Sequence, residues 1–210
     1  MNLAFPRATT QLLFSSVSGQ WAQTGQRMVR TIFSSKSSGS GKSFKEGDTL
    51  PNDSVLVEND PMKKLCASEI FGQKKAVMFG VPGAYTPGCS SKHVPSYLNR
   101  HGDFQKKGVA TIACLSVNDP FVMQAWAREL KTEGKIRMLA DPQCKFTKAI
   151  KMEKDFTELL GNWRSKRFAM IINNGKVVKM FVEPDGTGVT CTMADNVLKA
   201  LTEDDQCAPS

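Results

Sequence analysis

The sequence lacks any apolar run approaching the roughly 18 residues that a membrane-spanning helix requires. It therefore predicts no membrane-spanning segment and no membrane partner. The composition also differs from that of a chain that is disordered throughout, because 40% of its 210 residues are hydrophobic and only 23% are charged. One domain of ordinary size with a tail is expected.

Acidic residues are absent from residues 1–44, which hold five of the basic residues. The formal net charge of +8 therefore falls to +3 for the rest of the chain, so the body lacks the electrostatic footprint of a nucleic-acid-binding protein. An Arg-bearing, Ser-rich, acid-free leader is typical of a mitochondrial transit peptide, and the run at 30–35 (RTIFSS) resembles a matrix-processing site. A plain disordered tail is the alternative interpretation.

These patterns divide the chain into three parts. We expect residues 1–44 to be a transit peptide and flexible linker, residues 45–205 to form the domain, and residues 206–210 to be a polar tail. The predicted location is the mitochondrial matrix, with the cytosol as a second compartment.

The six cysteines include no Cys-x-x-Cys pair, so the spacing of a structural zinc site is missing. Cys89 and His93 are four residues apart, but two ligands do not close a metal site. The sequence thus predicts neither a metal nor an organic cofactor. Cys114 lies in an apolar run and is expected to be a small core residue.

Apolar β-type runs alternate with helical patterns, which favours an α/β domain with a central mixed sheet covered by helices on both faces. Phe121, Ala125, Trp126 and Leu130 are expected on the buried side of one helix. The predicted elements are a strand at 76–81, a helix from Ser90 kinked at Pro95, a strand at 109–117, a helix at 121–130 capped by residues 118–120, a strand at 137–140, a helix at 145–150, a hairpin of 168–172 and 177–182 around Asn174-Gly175, and a helix at 194–201. This succession fits a thioredoxin-like sheet.

One cysteine, Cys89, follows a buried strand and a Gly- and Pro-rich loop, and it precedes a predicted helix. Open α/β folds keep their sites at such junctions. Unpaired N–H groups and the dipole at a helix amino terminus favour a thiolate over a neutral thiol. Cys89 is therefore the candidate nucleophile.

Ionisation alone does not make a thiol react fast with peroxide. Lowering a thiol pKa by about 3 from about 8.5 raises the ionised fraction near neutral pH roughly 14-fold, but it lowers nucleophilicity roughly 20-fold. The two effects nearly cancel. A peroxide-reducing site must also supply groups that position both oxygens and stabilise the developing negative charge.

Two side chains are candidates for this second task. Thr86, three residues before Cys89, has a hydroxyl that can donate to one oxygen and accept from another, and Pro82 and Pro87 could shield the thiolate. A forked permanent cation is also needed, and Arg167 begins a strand that can lie beside the one before Cys89. On spacing alone an exposed edge cation is the stronger interpretation of Arg167, and Arg137 is the next candidate.

The run at 81–89 (VPGAYTPGC) resembles the peroxiredoxin signature, a proline followed by Thr-x-x-Cys. Runs at 113–119, 139–142, 166–168 and 182–191 resemble the peroxiredoxin-5 type, the atypical two-cysteine peroxiredoxins, so the resemblance covers roughly residues 45–202. It implies a thioredoxin fold, with Cys89 as the peroxidatic cysteine that forms a sulfenic acid and Thr86 and Arg167 as its activating partners. The one departure is Tyr85, where this family usually has Phe.

The same resemblance implies that Cys191 is the resolving cysteine, which forms an intramolecular disulfide with Cys89 that thioredoxin then reduces. The residues themselves support this only in part. Lys92 stands where a thioredoxin has its second cysteine, so the partner of Cys89 must come from elsewhere, and the flexible run at 185–188 (DGTG) precedes Cys191. A homodimer is a further implication of the resemblance.

We expect the substrate pocket to include Gly88, Pro87 and His93. His93 could orient the site or simply form a pocket wall. The resemblance implies that an apolar rim suited to organic hydroperoxides is formed by Phe156, Leu159 and Leu160. The alternative interpretation is that these three residues form the core face of a helix.

The leading hypothesis is an enzyme of antioxidant defence that reduces hydrogen peroxide, alkyl hydroperoxides and peroxynitrite. A thiol–disulfide oxidoreductase on the same fold is the second hypothesis, and Lys92 counts against it. The third is a non-enzymatic redox sensor in which Cys89 is oxidised slowly.

Overall fold

The computed structural model describes residues 43–206. The strands are β1 Leu56–Glu58, β2 Asp60–Leu65, β3 Lys75–Val81, β4 Thr111–Ser116, β5 Arg137–Ala140, β6 Glu153–Asp155, β7 Trp163–Ser165, β8 Phe168–Asn173 and β9 Lys176–Val182. The helices are α1 Ala67–Phe71, α2 Val94–Asn99, α3 His101–Lys106, α4 Pro120–Leu130, α5 Lys145–Ala149, α6 Thr157–Leu160 and α7 Ala194–Gln206, and a π-helical turn Cys89–His93 precedes α2.

Seven strands form one mixed sheet in the order β2-β1-β5-β4-β3-β8-β9. The central strands β3, β4 and β5 are parallel, whereas β8 pairs antiparallel with β3 and then with β9. Gly80 near the end of β3 is therefore opposite Phe168 at the start of β8. This register places the residue before β8 beside the loop that follows β3.

Both faces of the sheet are buried, and the alternation of side chains along each central strand directs successive residues into two separate cores. On β3, Val77 and Phe79 join a core beneath α2, α3, α4 and α7, while Ala76 and Met78 join a second core beneath α1 and α5. The predicted central mixed sheet with helices on both faces is confirmed.

Most predicted elements are present, including the tight hairpin, whose Asn174 and Gly175 both have positive φ angles (51° and 75°). The prediction missed the β1–β2 pair, α1 and the small β6–β7 sheet. β2 (DPMKKL) is an exposed edge strand that has no apolar alternation to detect.

Two details of the helix predictions were wrong. The helix after the loop begins at Pro87, not at Ser90, and it contains a π-helical turn directly before the predicted kink at Pro95. In α4, Asp119 caps the helix as predicted, but Phe121 is 64% exposed. The face of α4 that packs on the sheet carries Met123, Trp126 and Ala127.

Within residues 43–206, no helix combines the length and the apolar character needed to cross a membrane.

The close approach of Phe168 to Gly80 generates a stability prediction. A Cβ at Gly80 would lie 2.1 Å from Phe168 Cε1, so Gly80→Ala should destabilise the fold by about 1–3 kcal/mol through overpacking. Urea unfolding measures the change. Gly102→Ala in α3 is the matched control, because its Cβ meets nothing within 4 Å and should stabilise by about 0.5–1 kcal/mol. Equal effects of the two variants would contradict the packing argument.

Candidate active site

Cys89 is fully buried and lies in the first helical turn after the β3 loop, at the edge where the parallel strands end. The Val94 N–H bonds the Cys89 carbonyl, five residues back, which makes this turn π-helical. Pro95 has no N–H with which to continue the α-helical pattern. The turn that carries the thiol is therefore followed directly by a break in the α-helical hydrogen-bond pattern.

The loop before Cys89 is fixed by Asn118, which follows β4. Its Oδ1 accepts hydrogen bonds from Ala84 N–H (3.0 Å) and from Ser116 Oγ (2.7 Å). Arg164 on β7 donates from Nη1 to Val117 O (2.9 Å) next to the same loop. Sequence reasoning assigned residue 118 only to a helix cap and missed Arg164, because neither contact leaves a local sequence signal.

Arg167 directly precedes β8 and is only 3% exposed, so the interpretation as an exposed edge cation was wrong. Its Nη1 lies 3.2 Å from Cys89 Sγ and donates to it. Its Nε donates to Thr187 O (3.1 Å), which fixes the guanidinium from the other side. Arg137 was also the wrong alternative, since its guanidinium is paired with Glu58 at 2.8 and 2.9 Å.

This contact has a direct electrostatic consequence. A buried guanidinium requires a compensating negative charge or strong acceptors, and the Cys89 sulfur at 3.2 Å is one of the groups that accept from it. The Arg167 guanidinium therefore places a fixed positive charge beside the Cys89 sulfur, in the first helical turn after the loop.

His93 lies one helical turn after Cys89 and is completely buried. Its Nδ1 is 3.2 Å from Arg167 Nη1 and its Nε2 is 3.1 Å from Thr192 O. Because arginine can only donate, Nδ1 accepts and Nε2–H donates, which defines the neutral tautomer. Burial, together with the charge of Arg167, lowers the pKa of His93 from 6.5 to about 3. His93 therefore orients the guanidinium rather than acting as a simple pocket wall.

Thr86 contributes a partly exposed hydroxyl at the mouth of the loop. Its Oγ1 donates to Gly83 O (2.9 Å), so its proton is already used and its lone pairs remain to accept a hydrogen bond. The expectation that it would both donate and accept thus changes to an acceptor role. Pro82 is buried, as a shielding residue must be, whereas Pro87 is exposed.

The predicted pocket residues lie in different environments. Gly88 lies against Arg167, since a Cβ on it would be 3.4 Å from Nη2. Leu160 is half-buried, and its carbonyl is 3.5 Å from Arg164 Nη2, close to the loop. Phe156 is 6% exposed and Leu159 is 76% exposed, so these three residues of the predicted rim do not share one environment.

Cys191 is a free, half-buried thiol whose Sγ donates to Val182 O (3.4 Å). Burial and the nearby Glu183 carboxylate raise the pKa of this thiol. Cys114 is buried in β4 as predicted, and burial together with the neighbouring Cys89 raises its pKa well above 9. Cys207 and the leader through residue 42 lie outside the described residues.

Metal-ligating side chains do not gather in threes anywhere in the part of the chain that the structure describes.

Comparisons with known proteins decide the family. The redoxin family model matches residues 45–198. The chain belongs to the peroxiredoxins. Reduced Prx3 from Vibrio vulnificus in complex with H2O2 is 41% identical with a TM-score of 0.70, covering 75% of this chain and 98% of that one. Peroxiredoxin 5 from Alvinella pompejana is 40% identical with a TM-score of 0.68, covering 76% and 98%.

This peroxiredoxin therefore has the thioredoxin-like fold that the sequence predicted, and its relatives support thiol peroxidase activity. A third relative, the chloroplastic Peroxiredoxin-2E of Arabidopsis thaliana, is 40% identical over 166 residues, which are 76% of this chain and 70% of that protein. Family membership alone thus does not assign the compartment.

The neutral state of His93 predicts a specific pH dependence of stability. When the pH falls below 6.5, the unfolded chain binds a proton at this residue that the folded protein does not bind until about pH 3. Between pH 7 and pH 5, this uptake should lower the free energy of unfolding by about 2 kcal/mol. Urea unfolding at the two pH values measures the loss, which should shrink in His93→Asn.

The chain's other histidine provides the control, because His101→Asn should retain the pH-dependent loss. If His93→Asn lost as much stability between pH 7 and pH 5 as the unaltered protein, the assignment of a neutral His93 would be wrong.

Proposed function

We propose that Cys89 is the peroxidatic cysteine of this peroxiredoxin. The observation that carries the proposal is the 3.2 Å contact between Cys89 Sγ and the buried guanidinium of Arg167. It joins a nucleophile and a permanent cation in one fixed geometry. Its position at the carboxyl ends of the parallel strands is where open α/β folds bind their substrates.

In the proposed reaction, the Cys89 thiolate attacks the terminal oxygen of a hydroperoxide. The S–O bond forms as the O–O bond breaks, and the cysteine becomes a sulfenic acid. The leaving group is hydroxide from hydrogen peroxide, alkoxide from an alkyl hydroperoxide or nitrite from peroxynitrite, and hydroxide or alkoxide takes a proton from water. Arg167 donates to the oxygens as negative charge develops, and Thr86 Oγ1 accepts the hydrogen bond of the terminal O–H. Hydrogen peroxide, alkyl hydroperoxides and peroxynitrite are the proposed substrates.

Cys191 is the proposed resolving cysteine, as in the peroxiredoxin-5 type. The Cys89 sulfenic acid and the Cys191 thiol condense to an intramolecular disulfide with release of water, and thioredoxin reduces it. The segment around Cys191 is hydrogen-bonded to the Cys89 site through Thr187 and Thr192, which supports the pairing. The π-helical geometry of the Cys89 turn, followed by Pro95, supports a local unwinding during condensation.

The wider role we propose is antioxidant defence in the mitochondrial matrix, as a homodimer. The acid-free, Arg-bearing composition of residues 1–44 supports the location. Import of a reporter fused to residues 1–44 into isolated mitochondria tests it, and a reporter that stays outside would refute it.

The catalytic proposal predicts the behaviour of two cysteine variants. Cys89→Ser should abolish peroxide reduction. Cys191→Ser should still be oxidised once at Cys89 but should lose thioredoxin-linked turnover. Stopped-flow oxidation followed by mass spectrometry measures both, and continued cycling of Cys191→Ser with thioredoxin would exclude Cys191 as the resolver. Oxidation of Cys89 no faster than that of free cysteine would favour the slow sensor instead.

The same measurement tests the two proposed partners. Arg167→Gln should slow Cys89 oxidation by about 10²–10³-fold, because it removes the charged donor to the breaking O–O bond. Thr86→Val should slow it, whereas Thr86→Ser, which keeps an acceptor hydroxyl, should retain most of the rate. Equal rates for the Val and Ser variants would exclude a role for the hydroxyl.

A further inference from the structure

Thr192, the residue after Cys191, is completely buried, and four hydrogen bonds converge on it. Glu183 Oε1 accepts from its backbone N–H (3.0 Å) and from its Oγ1 (2.8 Å). On the opposite side, its carbonyl accepts from His93 Nε2–H (3.1 Å) and from Tyr97 OH (2.6 Å). Glu183, His93 and Tyr97 thus form what we call the Thr192 latch.

Glu183 is the charged part of the latch and is 1% exposed. It also accepts from the backbone N–H (2.7 Å) and the Oγ1 (2.6 Å) of Thr190, so it binds the residues on both sides of Cys191. Burial opposes its ionisation, but these hydrogen bonds lower the pKa of Glu183 to about 2. The carboxylate is therefore charged, and its hydrogen bonds are of the strong, charge-assisted kind.

With the latch closed, Cys89 and Cys191 are both free thiols. The Cys191 thiol donates to Val182 O, and burial and Glu183 keep it protonated by raising its pKa. Condensation with Cys89 consumes the Cys191 S–H and therefore breaks its hydrogen bond to Val182 O. The latch must open first, so its strength enters the rate of that step.

The His93 contact connects this opening to the peroxidatic cysteine. His93 lies in the same π-helical turn as Cys89, so unwinding of the turn withdraws its N–H from the Thr192 carbonyl. Tyr97 follows in α2 and donates to the same oxygen. Movement of the Cys89 turn therefore loosens the Cys191 segment, and both cysteines are released by overlapping hydrogen-bond losses.

We propose that Glu183 and Tyr97 are positioning residues that act through Thr192 to set the rate at which Cys191 condenses with the Cys89 sulfenic acid. This inference rests on the proposed function of Cys191. While the latch is closed, the sulfenic acid remains exposed to a second peroxide molecule, which oxidises it to the sulfinic acid with loss of water. The strength of the latch thereby affects how the Cys89 sulfenic acid divides between disulfide and sulfinic acid at a given peroxide concentration.

Two variants weaken the latch from opposite sides without touching Cys89 or Arg167. Thr192→Val removes only the Oγ1 bond to Glu183, and Tyr97→Phe removes only the hydroxyl bond to the Thr192 carbonyl. Stopped-flow fluorescence of Trp126 can follow both steps, because its Nε1 donates to Ser90 Oγ (3.1 Å) in the Cys89 turn. The first phase depends on peroxide concentration, and the second reports disulfide formation.

In each variant the second phase should be roughly five-fold faster, since one hydrogen bond of the closed state is lost, while the first phase stays unchanged. Mass spectrometry should show more Cys89–Cys191 disulfide and less sulfinic acid at a given peroxide concentration. Thr147→Val is the matched control, because it also removes a buried hydrogen bond from a threonine hydroxyl to a carboxylate. Thr147 in α5 donates from Oγ1 to Asp141 at 2.8 Å. The control variant should leave both phases unchanged.

The outcomes separate the latch from the function on which it rests. A second phase that is unchanged or slower in both latch variants, with the Cys89–Cys191 disulfide still formed, overturns the latch alone. A second phase that persists in Cys191→Ser overturns the resolving role of Cys191 and the latch with it. Acceleration in Thr147→Val as well would show that general loosening of the fold, not the latch, controls the step.

Discussion

The structure of the site depends on one buried cation, the Arg167 guanidinium. Its partners are the Cys89 sulfur, the His93 ring and the Thr187 carbonyl, which come from two separate segments of the chain. A charge in this position is stable only if strong acceptors surround it, so the Cys89 turn and the loop before α7 are both constrained to remain close. The contact between Arg167 and Cys89 thus helps to assemble the site.

The hydrogen bond from the Arg167 guanidinium to His93 requires a neutral imidazole ring. A protonated ring would place a second cation beside the guanidinium and would lose the acceptor at Nδ1. Burial and the Arg167 charge together prevent this by holding the pKa of His93 near 3. The neutral ring then keeps one N–H, at Nε2, whose hydrogen bond to the Thr192 carbonyl connects the Cys89 turn to the Thr192 segment.

The sequence allowed the central strands, the hairpin and the strand–loop–helix position of Cys89 to be predicted, because apolar runs, Asn-Gly and the Gly- and Pro-rich loop are local signals. Arg167 required the family resemblance, since only the β3–β8 register brings it to the thiol. Asn118, Arg164 and the Thr192 latch were missed for the same reason. The residues involved are polar and of ordinary types, and their roles arise from contacts with residues far away in the sequence.

The segment before β1 covers part of one edge of the sheet and so affects pairing with other molecules. Gly47 and Leu50 donate backbone N–H groups to Val177 and Gly175, so the chain runs along part of the outer edge of β9. Uncovered edge strands are templates for pairing between molecules, and this cover removes part of that risk. A chain shortened past Gly47 would lose the Gly47 hydrogen bond to Val177 and would expose more of this edge of β9.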